Sequence, residues 1–476
     1  MNEQVFSMTI NGRAVPGSAK IDVVNPATGA VFAQAPDCAA AELDDAVAAA
    51  RAAFPAWAAK PLAERQNLVR QMGQLLFAHA DALKTILTRE QGKPLADAAS
   101  EVMVAGYWCV SLASIDIPLD VLDDNPARRV EISRVPLGVV GAIAPWNFPL
   151  ALGFWKVAPA LLAGNTLVLK PSPLTPLTTL HAAALLRDLL PPGVFNVVSG
   201  GDALGPMLTA HPGIDKISFT GSTETGRKVM RTAADTLKRV TLELGGNDPA
   251  IVLPDFNVEA AANALFWAAF GNSGQVCVAA KRLYIHESVY DKLSSALCEI
   301  ARTVKVGPGE EEGTQLGPVQ NQQQYDRVVG LIEDSRAQGH HFLTGGYIPQ
   351  GQGYFLPPTL VDNPPDDARI VAEEQFGPVL PLLRYASVDD AIARANTGIY
   401  GLAASVWGTD LDAAKRVADR LDAGTVWINE AKALNPAVPF AGHKQSGIGV
   451  ENGLNGILEF TSYKVITVPK AVAAAA

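Results

Sequence analysis

Val139-Val140-Gly141-Ala142-Ile143-Ala144-Pro145-Trp146-Asn147-Phe148-Pro149 is an unbroken apolar run that stops at a turn held between two prolines. Residues 150–163 continue it as a helix candidate, and Thr166–Lys170 is a second apolar run. A strand that is apolar on both faces must be covered on both faces, which requires a parallel sheet with helices above and below. The 139–155 stretch is also the most lipid-like part of the chain. Pro145, Asn147 and Pro149 at its middle and Lys156 at its end suit a buried strand-turn-helix rather than a membrane span.

The alternation continues downstream. Helix 176–189, strand 194–198, strand 216–220, helix 222–236 and strand 240–244 are expected in turn. A second α/β stretch starts near Ala250 and includes strands at 282–285, 379–385, 403–407 and 425–429. Upstream, residues 40–116 are Ala-rich with helical spacing of Leu68, Met72, Leu75 and Leu76, and breaks are expected near Pro55, Pro61 and Lys93-Pro94. A charged patch over 120–129 leads into Val130–Val135, whose alternation predicts a half-exposed strand. The tail 463–468 reads as another strand, followed by an Ala-rich end expected to fray.

At 476 residues the chain is long enough for two or three domains. A net charge of −10 provides no electrostatic footprint for nucleic acid or anionic lipid, so neither partner is expected. Cys38, Cys109, Cys277 and Cys298 lack CxxC spacing, which indicates neither a zinc site nor a disulfide framework and suits a reducing cytoplasm. Residues 1–5 lack the basic start and apolar run of a signal peptide. No metal is expected, and the seven histidines read as surface residues.

Several positions carry possible chemistry, each with a plainer alternative. Cys277 lies in Gly271-Asn272-Ser273-Gly274-Gln275-Val276-Cys277, a turn-forming context for a nucleophile, though a free cysteine is often just buried and inert. Lowering its pKa by one unit takes about 1.4 kcal/mol, which a bound cation or a helix start could supply. Glu243, in Leu242-Glu243-Leu244-Gly245-Gly246, could activate water or be a solvated carboxylate. Asn147 could donate to an oxyanion or satisfy its own turn. Gly221-Ser222-Thr223-Glu224-Thr225-Gly226 follows a strand and opens a helix, so it could hold a pyrophosphate or be a capped turn. Lys170 ends the second strand as a site cation or a surface lysine, and Lys156 either snorkels or serves the site.

Taken together, PWNFP at 145–149, FTGSTETG at 219–226, LELGG at 242–246, GQVC at 274–277, EEQFGP at 373–378 and KQSG at 444–447 resemble the NAD(P)+-dependent aldehyde dehydrogenase superfamily, from about residue 20 to about 468. The resemblance implies an α/β fold with a Rossmann-like cofactor domain (1–118 and 138–245), an α/β catalytic domain (246–458) and a small β oligomerisation flap (119–137 and 459–476). It implies Cys277 as nucleophile, Asn147 as oxyanion donor, Glu243 as hydrolytic base and Lys156 near the proton path. Lys170 is carried over as an adenosine-ribose contact, Trp146 and Ser222 to the pyrophosphate region, Glu374 to the nicotinamide ribose and Phe376 near the nicotinamide. Ile143, Ala144, Ser172, Gly221, Gly226 and Leu244 are carried over as further cofactor contacts. Phe148, Leu152 and Trp155 would line an apolar substrate pocket, which implies an uncharged aldehyde as the small-molecule partner. The assembly implied is a homodimer or homotetramer.

Some positions depart from the family pattern. Pro173 stands where many relatives have a glutamate on the ribose hydroxyls, so the choice between NAD+ and NADP+ stays open. Asn247 replaces a common lysine and Ala441 a common glycine, with no chemical role lost. Gly271 replaces the arginine of relatives acting on succinic semialdehyde, which argues against that substrate. Relatives that pass the thioester to coenzyme A usually lack a glutamate at the Glu243 position, so hydrolysis is the expected release.

Overall fold

The computed structural model describes residues 5–470. Residues 1–4 of the expected cofactor domain and the Ala-rich end 471–476 lie outside the described residues.

The apolar runs form the middle of an eight-stranded sheet in the order Arg13–Val15, Met8–Ile10, Phe195–Val197, Thr166–Lys170, Val139–Ile143, Lys216–Thr220, Arg239–Glu243 and Gly447–Ile448. The five strands from Phe195–Val197 to Arg239–Glu243 are parallel and the outer pairings antiparallel. Every residue of Val139–Ile143, Thr166–Lys170 and Lys216–Thr220 is buried, as two-sided apolar strands require. The helix Pro149–Leu162 is buried all round, because its sequence is apolar on every face. A side chain such as Phe154, fully enclosed there, contributes roughly 1.5–3 kcal/mol.

A second sheet runs His341–Thr344, Thr359–Asp362, Val379–Tyr385, Arg282–His286, Pro249–Val252, Ala403–Trp407 and Thr425–Ile428, parallel except at its first strand. The third unit is a three-stranded antiparallel sheet of Asp120–Asp124, Arg128–Pro136 and Thr461–Pro469. The short strand Gly447–Ile448 brings the chain back from beyond the second sheet to the edge of the first.

Two local expectations change, and two hairpins join the elements read from the sequence. The helix Ala40–Ala58 passes through Pro55 without a break. Ala59 N–H donates to Pro55 O, and Trp57 in the same turn is buried with its Nε1 on Leu161 O at 3.2 Å. A proline this near the helix end removes one ladder bond, and the buried tryptophan offsets that cost. The helix expected over 176–189 is Leu177–Leu185, after which the Arg187 guanidinium is tied to Ser7 Oγ and Thr9 Oγ1. The hairpins Met8–Ile10/Arg13–Val15 and Ala19–Asn25/Ala30–Asp37 went unread in the sequence. Among the described residues no helix is long and apolar enough to cross a membrane, and no group of three or more His, Cys, Asp or Glu is placed to hold a metal.

Candidate active site

From Val139–Ile143 the chain steps outward to Thr166–Lys170 and Phe195–Val197, then returns to the other side at Lys216–Thr220. Ligands bind beyond the carboxyl ends of strands at such a reversal. Here those ends lead into the 145–149 turn and into Gly221-Ser222, the start of helix Thr223–Ala234.

Two cavities meet there. One, of about 480 Å3, is lined by Trp146, Gly221, Ser222, Leu244, Glu374 and Phe376. The other, of about 370 Å3, is walled by Trp108, Phe148, Leu152, Trp155 and Phe440, with Glu243 on its wall. Trp155 stacks on Trp108 with ring centroids 4.8 Å apart and meets Phe440 edge-on. Cys277 lines both cavities, as do Leu152, Thr220 and Leu244.

The loop before Cys277 is conformationally unusual. Asn272 and Ser273 have φ of 53° and 56°, and Gly274 has φ of 73°. A Cβ on Gly274 would lie 2.2 Å from Gly377 O, so this approach requires glycine. Ser273 Oγ donates to Gly317 O at 2.7 Å, and Asn272 Nδ2 donates to Asn147 O and Gln275 O. Left-handed non-glycine residues gathered before a reactive group are held there by the surrounding contacts. Cys277 itself is half-buried in a turn. No helix starts at it, since the next element is strand Arg282–His286, so the helix-start source of activation raised from the sequence is absent. Burial pushes the thiol up to about 12, with Lys281 opposing and Asp248, Glu243 and Glu374 adding to the rise.

Asn147 is buried, and its Nδ2 donates to Gln275 O at 3.0 Å, not to its own turn. A side-chain amide has two hydrogens, so one is left for an oxygen in the cavity. The Asn147 carbonyl accepts from Lys93 Nζ at 2.9 Å. Lys93 lies 3.8 Å from the Phe148 ring centroid and 2.6 Å from Glu101 Oε2. Glu101 Oε1 in turn accepts from Leu150 N and Ala151 N, at the start of the buried helix.

Glu243 ends its strand, is buried, and has no hydrogen-bond partner for either carboxylate oxygen. Burial and then the Glu451 carboxylate push it well above the usual carboxylate range, against Lys156. Lys156 does not snorkel: its side chain is fully enclosed, with Nζ donating to Glu451 Oε1 at 2.5 Å. Glu451, Lys93, Glu101 and Lys281 went unread, because each gains its meaning from a partner distant in sequence or on another element.

The remaining candidates divide into two groups. Ser222 Oγ caps its helix by accepting from Thr225 N, while facing the larger cavity. Trp146 meets Phe376 edge-on at 5.3 Å on the same wall. Ile143, Ala144, Lys170, Ser172 and Gly226 are not among the residues lining that cavity. Ile143 pairs in register with Lys170, and Ala144 N donates to Lys170 O. Lys170 is buried, its Nζ donates to Pro171 O at 3.3 Å, and burial pushes it down to about 8. Ser172 Oγ accepts from Leu174 N. Gly226 packs against Leu244, where a Cβ would lie 2.4 Å from Leu244 Cδ2.

Known proteins resemble the chain along almost its whole length. Residues 14–466 match the family model described as the aldehyde dehydrogenase family. The chain is 41% identical over 468 residues to aldehyde dehydrogenase LUC3 of Fusarium sp, covering 98% of this chain and 99% of that one. It superposes on an aldehyde dehydrogenase from Bacillus cereus solved as an NAD+ complex with TM-score 0.95 and 38% identity, covering 98% of this chain and 97% of that one. An NADP-dependent enzyme from E. coli matches at TM-score 0.95 and 38% identity, with 98% of each chain covered. A thiol at the meeting point of two cavities, beside a buried amide and a buried carboxyl, thus sits in a chain that belongs to the aldehyde dehydrogenase family.

Proposed function

We propose that this enzyme oxidises an uncharged aldehyde to its carboxylic acid with NAD+ or NADP+, through a thioester on Cys277 that water releases. The observation that carries this reading is that Cys277 lines both cavities, with Asn147 on the wall of one and Glu243 on the wall of the other. Residues 5–118 and 138–245 are assigned to the cofactor and 246–458 to catalysis.

The larger cavity suits a dinucleotide. A Cβ on Gly245 would lie 2.5 Å from Glu374 Oε2, so the missing side chain lets the Glu374 carboxylate sit on the cavity wall without shifting. The first turn of helix Thr223–Ala234 offers N–H groups without intrahelical acceptors to an anionic group. Trp146, Gly221, Ser222, Leu244, Glu374 and Phe376 would hold it, and relatives of this chain include an NAD+ complex and an NADP-dependent enzyme. Once bound, the nicotinamide supplies the hydride acceptor.

In this reading Cys277 Sγ gives up its proton to solvent in the cavity and, as thiolate, bonds to the aldehyde carbon as the carbonyl π pair moves onto oxygen. The free Asn147 amide hydrogen stabilises that oxyanion. After oxidation the carbon is held as a thioester. Glu243 then takes a proton from water as the water oxygen attacks, and the C–S bond breaks to release the acid. A carboxyl whose ordinary pKa is raised by burial is the stronger base when ionised. The enclosed Lys156–Glu451 pair provides a route for that proton. The presence of a carboxylate at 243, on the cavity wall, favours hydrolysis over transfer to coenzyme A.

The apolar wall of Phe148, Leu152 and Trp155 supports the uncharged substrate. One observation favours a second reading: Lys432 Nζ lies 2.5 Å from where a Cβ on Gly271 would sit, so a carboxylate-bearing aldehyde would meet an ammonium. A kcat/KM higher for such an aldehyde than for its uncharged isostere would select it. Exposed Tyr463, Val465 and Val468 on the three-stranded sheet support a subunit-joining role in a homodimer or homotetramer. The acidic charge and free cysteines support a cytoplasmic enzyme with no nucleic-acid or membrane partner.

Single-turnover kinetics test the mechanism. Cys277→Ala is expected to make no reduced cofactor. Glu243→Gln should give a full burst of reduced cofactor and then a slow steady state. Equal loss of burst and steady state in Glu243→Gln would remove Glu243 as the hydrolytic base.

A further inference from the structure

Lys281 has no part in the chemistry above, yet it is tied to the Cys277 turn, to the Glu374–Phe376 segment and to Asp248. Its side chain is only 3% exposed. Its Nζ donates to the Cys277 carbonyl at 2.5 Å and lies 3.3 Å from Glu374 Oε1. It also sits 5.9 Å from the centroid of the Phe376 ring. Its backbone N–H donates to Asp248 O at 2.9 Å, which fixes the start of strand Arg282–His286 against Pro249–Val252.

The charges facing Cys277 come from several elements. Glu243 ends a strand of the first sheet, Asp248 precedes a strand of the second, and Glu374 lies on the segment before Val379–Tyr385. Glu243 is itself faced by Glu451 and Lys156. The three carboxylates and the burial of the site all work against a thiolate, and Lys281 is the cation that opposes them. An enclosed charge interacts more strongly than a hydrated one, so the position of this ammonium matters for the thiol.

We propose that Lys281 is a positioning residue that anchors the Cys277 carbonyl and holds a positive charge behind the nucleophile turn, sustaining thiolate formation at Cys277. This rests on the reading of Cys277 as the nucleophile. The side chain need not touch the substrate. It acts by fixing the turn and by balancing Glu374 and Asp248.

The test uses the full-length protein without cofactor and needs no turnover. Iodoacetamide is added across a range of pH, and alkylation is followed on the Cys277 peptide by mass spectrometry. Below the thiol pKa the rate tracks the thiolate fraction, so a rise of roughly half to one pH unit slows alkylation roughly three- to tenfold. Lys281→Met is expected to show that slowing and the matching upward move of the pH profile. Lys281→Gln keeps a donor for the Cys277 carbonyl without the charge, and should be slowed alike. Lys281→Arg keeps the charge and should stay within about twofold of the parent. Parent-like rates in the Met or Gln variant overturn the proposal, as does an Arg variant slowed as much as Met. If the Met variant fails to fold by circular dichroism, the Gln and Arg pair decides. Full turnover in Cys277→Ala would instead overturn the nucleophile reading, so the two failures are distinguishable.

Discussion

Removing the Lys93 ammonium should cost both stability and rate, and removing its partner as well should cost less than the two single losses added together. Lys93 and Glu101 have side chains 0% and 1% exposed and are 2.6 Å apart. Breaking such an enclosed pair from one side strands the other charge, which typically costs about 3–5 kcal/mol. Lys93→Met is expected to lose that much in urea unfolding, and Glu101→Gln a similar amount. The Glu101→Gln side chain still has an oxygen for the Leu150 and Ala151 N–H groups, so its loss comes mainly from the stranded ammonium. In the double variant neither charge is stranded, and the loss should fall roughly 2 kcal/mol or more short of the summed single losses. The rate follows from the other bond of Lys93, to the Asn147 carbonyl at 2.9 Å. Without it that carbonyl keeps only Asn272 Nδ2 at 3.3 Å, and the amide on the same residue is less well aimed. Losing an oxyanion donor outright costs about 2.7–4 kcal/mol of barrier, so loosening it should lower kcat roughly tenfold to a hundredfold. The assay is a double-mutant cycle on unfolding free energy, with kcat measured on each folded variant. Additive stability losses, or a Lys93→Met variant with unchanged kcat, would refute the reasoning.

Two more outcomes follow from single residues. Burial pushes the enclosed Glu90 carboxyl up to about 7, so the folded state binds its proton more tightly than the unfolded chain does. Its contribution is therefore fully present below the unfolded value near 4.5 and lost as pH rises through about 7, with a slope of at most about 1.4 kcal/mol per pH unit. Glu90→Gln should gain stability relative to the parent as pH goes from about 5 to about 8 in urea unfolding, and parallel pH profiles would contradict the assignment. For the cofactor, Pro173→Glu should raise the NAD+ to NADP+ ratio of kcat/KM at least about tenfold, because a carboxylate there repels a 2′-phosphate. An unmoved ratio would show that residue 173 does not face the ribose.

The sheet was legible because burial on both faces leaves an unmistakable mark, and the runs at 139–143, 166–170 and 216–220 became three adjacent parallel strands. The reach of Pro55 was misread, since what carries the helix past it is a tryptophan seated against Leu161, which a local pattern does not contain. The N-terminal hairpins were unread because the strands of the first are only three residues each, and those of the second are largely exposed over their first halves with no clean apolar alternation. Cys277, Glu243 and Asn147 each had a plainer alternative on local pattern, and the resemblance of their motifs taken together singled them out. Lys156 was ambiguous until its ammonium met Glu451, nearly three hundred residues away in the chain.

Periodicity and turn chemistry were thus enough to settle the α/β class and to mark the turns at strand ends and the residue types in them, because these depend on neighbours within a few positions. Tertiary structure alone decided which charges surround those groups. Asp248 and Glu374 reach Cys277 from other elements, Glu451 reaches Glu243 and Lys93 reaches Asn147, while Lys281, four residues on from Cys277, turns its ammonium back onto the Cys277 carbonyl. Ionisation depends on burial and on charges a few ångströms away in space, and the order of residues along the chain does not encode either one.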